Sequence, residues 1–129
     1  MQQPRENEPY GLELILDLHS CEARVFTRES IERFCSELCE LVQMERCDLH
    51  FWDDRGVPQE EQQTHPKTKG TSAVQFILTS TIVIHTLDLM NAAYVNIFSC
   101  KSFDTEEAAR FTAKWFGSED WTSHVITRR

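Results

Sequence analysis

The sequence predicts an α+β fold, a two-layer α/β sandwich in which an antiparallel β-sheet carries two helices packed on one face. Three features point there. Residues 28–44 and 104–117 repeat apolar side chains every three or four positions, the period of a helix with one buried stripe. Six shorter stretches alternate apolar and polar residues or are rich in β-branched ones. The links between the middle strands are too short for a crossover helix, so those strands run antiparallel.

GLELILDL (11–18) alternates well enough for a strand with one covered face. In RESIERFCSELCELVQM (28–44), Ile31, Phe34, Cys35, Leu38, Leu41 and Val42 share a face, and Thr27 is placed to cap the first turn. CDLHFW (47–52) reads as a short strand. DDRGVPQEEQQTHPKTKG (53–70) is polar, contains two prolines and has no period. Such a long loop in a compact domain is either functional or disordered. TSAVQFIL (71–78) and TIVIHTL (81–87) are strands joined by a tight bend at Thr79–Ser80, and AAYVNIFSC (92–100) is another. DTEEAARFTAKWFG (104–117) opens with Asp104 and Glu107 in capping-box spacing, lines up Ala108, Phe111 and Trp115, and stops at Gly117. WTSHVIT (121–127) closes as a strand, giving the order β-α-β-β-β-β-α-β.

A chain of 129 residues fits a single domain, expected over 11–129 behind a flexible N-terminus at 1–10. The net charge of −8 argues against a phosphate-backbone binder, so no nucleic acid is expected as a partner. No apolar run approaches bilayer length and the polar start is not a signal peptide; the expectation is a cytoplasmic protein with no membrane partner. Five cysteines, Cys21, Cys35, Cys39, Cys47 and Cys100, are an odd number and read as free thiols in a reducing compartment. Cys35 and Cys39 lie one helical turn apart without a CxxC or HxxxH, so they are expected to pack as thiols and no metal is expected.

The stretch LTSTIVIHT (78–86) holds the candidates for chemistry. A serine at a strand-to-strand bend can attack the carbonyl before it and convert its own peptide bond to an ester. A base that then removes the serine α-proton cleaves the chain and leaves a dehydroalanine, which hydrolyses to a pyruvoyl group. This needs a serine, an oxyanion donor and a base, and Ser80, Ser72 and His85 supply those residue types. By type alone, though, Ser80 reads more readily as a turn residue, His85 as a core histidine and Cys100 as a small buried hydrophobe.

The segments GLELILDLHSC (11–21), GTSAVQFILTSTIVIHT (70–86) and AAYVNIFSCKSFD (92–104) resemble, in order, the signatures of the bacterial and archaeal S-adenosylmethionine decarboxylases. Ser72 lies eight before Ser80, His85 five after and Cys100 twenty after, as in that family. The resemblance implies self-cleavage between Thr79 and Ser80, with Ser80 as precursor of a pyruvoyl cofactor. It implies that Ser72 and His85 assist processing and that Cys100 donates the proton that replaces the substrate carboxylate. A small-molecule substrate, a role in spermidine synthesis and a homodimer whose active sites draw on both chains are further implied.

The chain also departs from that pattern. Thr79 and Thr81 replace the glutamate and histidine flanking the cleavage serine, and Leu87-Asp88-Leu89 replaces the Trp-Pro-Glu that helps hold the nucleoside. Phe51 or Trp52 is then expected to supply the aromatic contact to substrate. Three readings follow: an S-adenosylmethionine decarboxylase with a rebuilt nucleoside pocket; a pyruvoyl decarboxylase of another amino acid such as arginine or ornithine; or a non-cleaving regulatory or pairing homologue. In the second, Asp88 or a loop acid (Asp53, Asp54, Glu60, Glu61) faces the cationic side chain.

Overall fold

A computed structural model describes residues 8–129, so most of the flexible N-terminus expected at 1–10 lies outside the described residues. The elements are β1 (Gly11–His19), α1 (Arg28–Leu41), β2 (Arg46–Trp52), β3 (Gly70–Ile77), β4 (Ser80–Leu87), β5 (Ala92–Ser99), α2 (Thr105–Trp115) and β6 (Asp120–Arg128). The strands form one six-stranded sheet in the order β2-β3-β4-β5-β1-β6, with every neighbouring pair antiparallel. The expected α+β sandwich is therefore observed.

Alternation along the strands decides which face is covered. Leu14, Leu16 and Leu18 of β1, Ile82 and Ile84 of β4, and Ala93, Val95 and Ile97 of β5 pack into one core with Ile31, Phe34, Cys35 and Leu38 of α1 and Ala108, Ala109 and Ala113 of α2. Burying each Leu or Ile side chain stabilises the fold by about 1.5–3 kcal/mol. The small alanine face of α2 lets that helix approach the sheet, while Phe116 follows it into the core beside Phe34, ring centroids 5.1 Å apart. The residues between these core positions, among them Ile15, Val74, Val83 and Asn96, face the other side of the sheet, away from α1 and α2.

Both helices begin as expected. The Thr27 side chain accepts from Ser30 N at 3.1 Å, and the Asp104 carboxylate accepts from Glu107 N at 3.0 Å. Helix α1 ends at Leu41 rather than at residue 44, leaving Leu41 38% exposed, and Gln43 takes positive φ to turn the chain toward β2. At the end of α2, Gly117 has φ +63°, and a Cβ there would sit 2.8 Å from the Glu22 side chain. Cys35 and Cys39 are buried in the core; burial pushes their thiols up to about 12 and about 11, so both stay protonated at neutral pH.

One structural adjustment bears on the expected bend. The two-residue turn is Leu78–Thr79, and Ser80 is the first residue of β4, paired with Ile77. The bend thus sits one position earlier than the Thr79–Ser80 expected. The reason is parity: this register puts Ser80, Ile82 and Ile84 on the core side with Ala73 and Ile77, and a one-residue slip would turn that set to solvent. Beside the hairpin, the fully buried Gln75 spans the bulge in β2, accepting from Arg46 Nε at 3.0 Å and donating to Cys47 O at 3.0 Å.

Candidate active site

The predicted site residues fall into two pairs at opposite ends of β4. At the hairpin mouth, Ser80 Oγ accepts from Cys100 N at 3.0 Å. Ser80 is buried and Cys100, just beyond β5, is half-buried. The Ser80 hydroxyl, and secondarily the Thr79 backbone, hold the Cys100 thiol below its ordinary value against the opposing effect of burial. A cleft of about 190 Å³ reaches this pair, lined in part by Met44, Ile77, Leu78 and Lys101.

The second pair stands on the open face. Ser72 and His85 are direct cross-strand partners, with Ser72 Oγ 2.7 Å from His85 Nδ1. The short loop between β3 and β4 fixes this register, and the imidazole is exposed rather than buried in the core. A hydroxyl and an imidazole at that distance can exchange a proton, which is what a processing or catalytic base requires. Gly70 begins the strand under it, where a Cβ would lie 1.7 Å from Thr86 O. Only glycine permits that approach.

His85 and Ser80 do not meet within one chain. They are five residues apart on a single extended strand, about 16 Å at the usual rise per residue. The odd spacing also puts them on opposite faces, Ser80 toward the helices and His85 away. His85 is therefore out of reach of the Ser80 of its own chain, because a β-strand cannot fold back on itself.

The Ser72–His85 pair opens into a cavity of about 760 Å³, whose other wall is the 53–69 loop. That loop is built, not slack. Arg28 grips Asp53 with two hydrogen bonds, 2.6 and 2.9 Å, and Thr71 Oγ1 and Arg55 N add to the same carboxylate. The Arg28 guanidinium holds Asp53 down to about 2, well below the usual carboxylate range. Lys69 Nζ reaches Asp54 at 3.0 Å and Gln62 at 3.5 Å, tying the two ends of the loop together.

Of the expected substrate contacts, Trp52 lines this cavity and is 82% exposed. Phe51 does not. Its parity turns it toward the core, where the Arg28 guanidinium lies 5.3 Å from its ring centre. Asp88 is also outside the cavity lining; its Oδ1 is buried with no hydrogen-bond partner among the described residues, and burial pushes its carboxyl up. Asp53, Asp54 and Glu61 do line the cavity, Glu60 does not. Sequence reasoning missed Tyr94, which faces His85 across β4 and β5 and extends one cross-strand row, Trp52–Ser72–His85–Tyr94–Asp17. Counting outward from the two hairpin turns would have found it.

Among the described residues no helix is long and apolar enough to cross a membrane. A search of curated proteins finds no match. Among solved structures, the crystal structure of the adenosylmethionine decarboxylase from Aquifex aeolicus is similar, with a TM-score of 0.73 and 19% identity, covering 94% of this chain and 92% of that one. At that identity the likeness establishes the fold. The profile of the S-adenosylmethionine decarboxylase family matches residues 12–129, nearly the whole chain, and the chain belongs to the S-adenosylmethionine decarboxylase family.

Proposed function

We propose that this chain is a pyruvoyl-dependent decarboxylase that cuts its own backbone between Thr79 and Ser80, and that a second copy completes each site. The observation that carries the proposal is the separation of the two pairs. Ser80 with Cys100, and Ser72 with His85, each have the contacts their roles need, yet lie about 16 Å apart along a rigid strand. A two-fold axis across the middle of β4 would lay one open sheet face on another and bring the hairpin mouth of one copy to the Ser72–His85 end of its partner. Ile15, Val74 and Val83, half-buried on that uncovered face, give it an apolar centre.

In processing, Ser80 Oγ attacks the Thr79 carbonyl carbon and the Thr79–Ser80 C–N bond breaks, leaving an ester. His85, steered by Ser72, removes the α-proton of residue 80, and the ester oxygen departs with the Thr79 carboxylate. The resulting dehydroalanine takes up water, releases ammonia and becomes the pyruvoyl group. That group, once formed, supplies a carbonyl that accepts the electrons released with carbon dioxide. Cys100, whose backbone N lies 3.0 Å from the side chain of residue 80 before cleavage, then returns a proton to the substrate's α-carbon. The substrate enters the 760 Å³ cavity, where Trp52 offers a π-face and Glu61 a carboxylate to a cationic group. Those groups suit S-adenosylmethionine in polyamine synthesis. The loss of the Trp-Pro-Glu segment and the loop acids in the lining favour a second reading, a basic amino acid such as arginine or ornithine.

Co-expression of differently tagged Ser80→Ala and His85→Ala chains tests the shared site. Each variant alone stays intact, whereas the mixture yields fragments 1–79 and 80–129 from the His85→Ala chain, because one site per pair then has both Ser80 and a partner His85. A wild-type chain that cleaves while the mixture does not would refute the sharing. A wild-type chain that stays intact on prolonged incubation would refute cleavage itself and leave a non-catalytic homologue. Carbon dioxide release from S-adenosylmethionine against arginine, ornithine and lysine then identifies the substrate.

A further inference from the structure

On the outer side of the helix layer, away from the open sheet face, a hollow of about 450 Å³ lies between α1 and α2. Its floor is aromatic. Trp115 and Phe111 are half-buried one turn apart on α2, ring centroids 5.9 Å apart, and both rest on Phe34 of the core. Trp115 Nε1 donates to Ser30 Oγ at 3.1 Å, so the indole's one polar group is satisfied and its plane is held. The floor is thus preformed, and a ring laid on it would order no further side chain.

The rim is cationic in a chain of net charge −8. Arg24, Arg33 and Lys114 line it against a single acid, Glu37. Arg24 is paired with Glu22 at 2.6 Å. Among the described residues, Arg33 and Lys114 make no ion pair; the Arg33 guanidinium instead lies 5.5 Å from the Trp115 ring centre. Two cations without an ion-pair partner, above an aromatic floor, match a ligand that combines a flat ring with an acidic group, the ring stacking on Trp115 and Phe111 and the anion meeting Arg33 and Lys114. Ser30, whose oxygen accepts from Trp115, retains its hydroxyl proton for the same anion.

We infer that this hollow is a binding site for a small aromatic anion, separate from the decarboxylase site and independent of whether that site cleaves. Phenyl phosphate is the probe, with phenol and inorganic phosphate as its two halves. In proton–nitrogen correlation spectra of the full chain, the Trp115 indole cross-peak, assigned by its loss in Trp115→Phe, should move and saturate with phenyl phosphate. Phenol and phosphate should each bind at least about tenfold more weakly, since each keeps only one of the two contacts. Arg33→Gln combined with Lys114→Gln should weaken phenyl phosphate about tenfold, the effect of losing two exposed charge contacts. The dispersion of the variant's spectrum reports that it is folded. A Trp115 peak unmoved up to the solubility of the probe overturns the inference. So does phenol binding as well as phenyl phosphate, which would mark a plain apolar slot, or phosphate doing so, which would mark adventitious anion binding. A folded double variant with unchanged affinity overturns it as well.

Discussion

Asp53→Asn probes the link between the loop and the cavity. The carboxylate is gripped by Arg28, so its pKa falls from 3.8 to about 2 in the folded chain. That shift corresponds to about 2 kcal/mol. The Arg28 and Asp53 side chains are 29% and 12% exposed, and screening by solvent reduces the stabilisation to about 1–2 kcal/mol. The pKa is depressed on folding, so the stabilisation is fully present above the unfolded value near 3.8 and is lost as pH falls through about 2. Asparagine keeps the size and one acceptor but not the charge. Urea unfolding of both proteins, followed by circular dichroism across a pH series, should show the variant less stable by about 1–2 kcal/mol at pH 7, with the gap closing toward pH 2. Because Asp53 forms part of the cavity wall, KM should rise as well. A gap of only a few tenths of a kcal/mol at pH 7, or one unchanged from neutral to acid pH, would refute the assignment of the Arg28–Asp53 pair as the anchor of the loop.

Ser80→Ala should raise the Cys100 thiol, since the Ser80 hydroxyl is the main group holding it down, and iodoacetamide should then label Cys100 more slowly near neutral pH than in an uncleaved His85→Ala chain. Cys100→Ala should leave cleavage into 1–79 and 80–129 largely intact while carbon dioxide release falls by at least about a hundredfold, the usual weight of a proton donor; normal turnover would remove Cys100 from that role. Ile84→Ala, at a fully buried position, should cost about 2–5 kcal/mol in denaturant unfolding. His85→Ala, next along the chain but exposed, should cost under about 1 kcal/mol and yet prevent cleavage.

The sequence by itself determined the elements, the sheet and the family. Helical spacing in 28–44 and 104–117, the caps Thr27 and Asp104 and the alternation in the strands are local signals, because they arise from the 3.6- and 2-residue periods of the backbone itself. The spacing of Ser72, Ser80, His85 and Cys100 is equally a property of the chain. What those residues touch is not. Only the register of the β3–β4 hairpin decided that His85 meets Ser72, and only the β4–β5 pairing placed Tyr94 beside it. The aperiodic stretch 53–70 gave no sign of its order, since Arg28–Asp53 and Lys69–Asp54 join residues 25 and 15 apart, and no local pattern encodes such contacts. The same holds for Phe51 and Trp52, adjacent in sequence but on opposite faces, one under Arg28 and one at the cavity. The sequence names the chemical groups along a line; the sheet, by alternating faces and fixing register, decides which of them share a space.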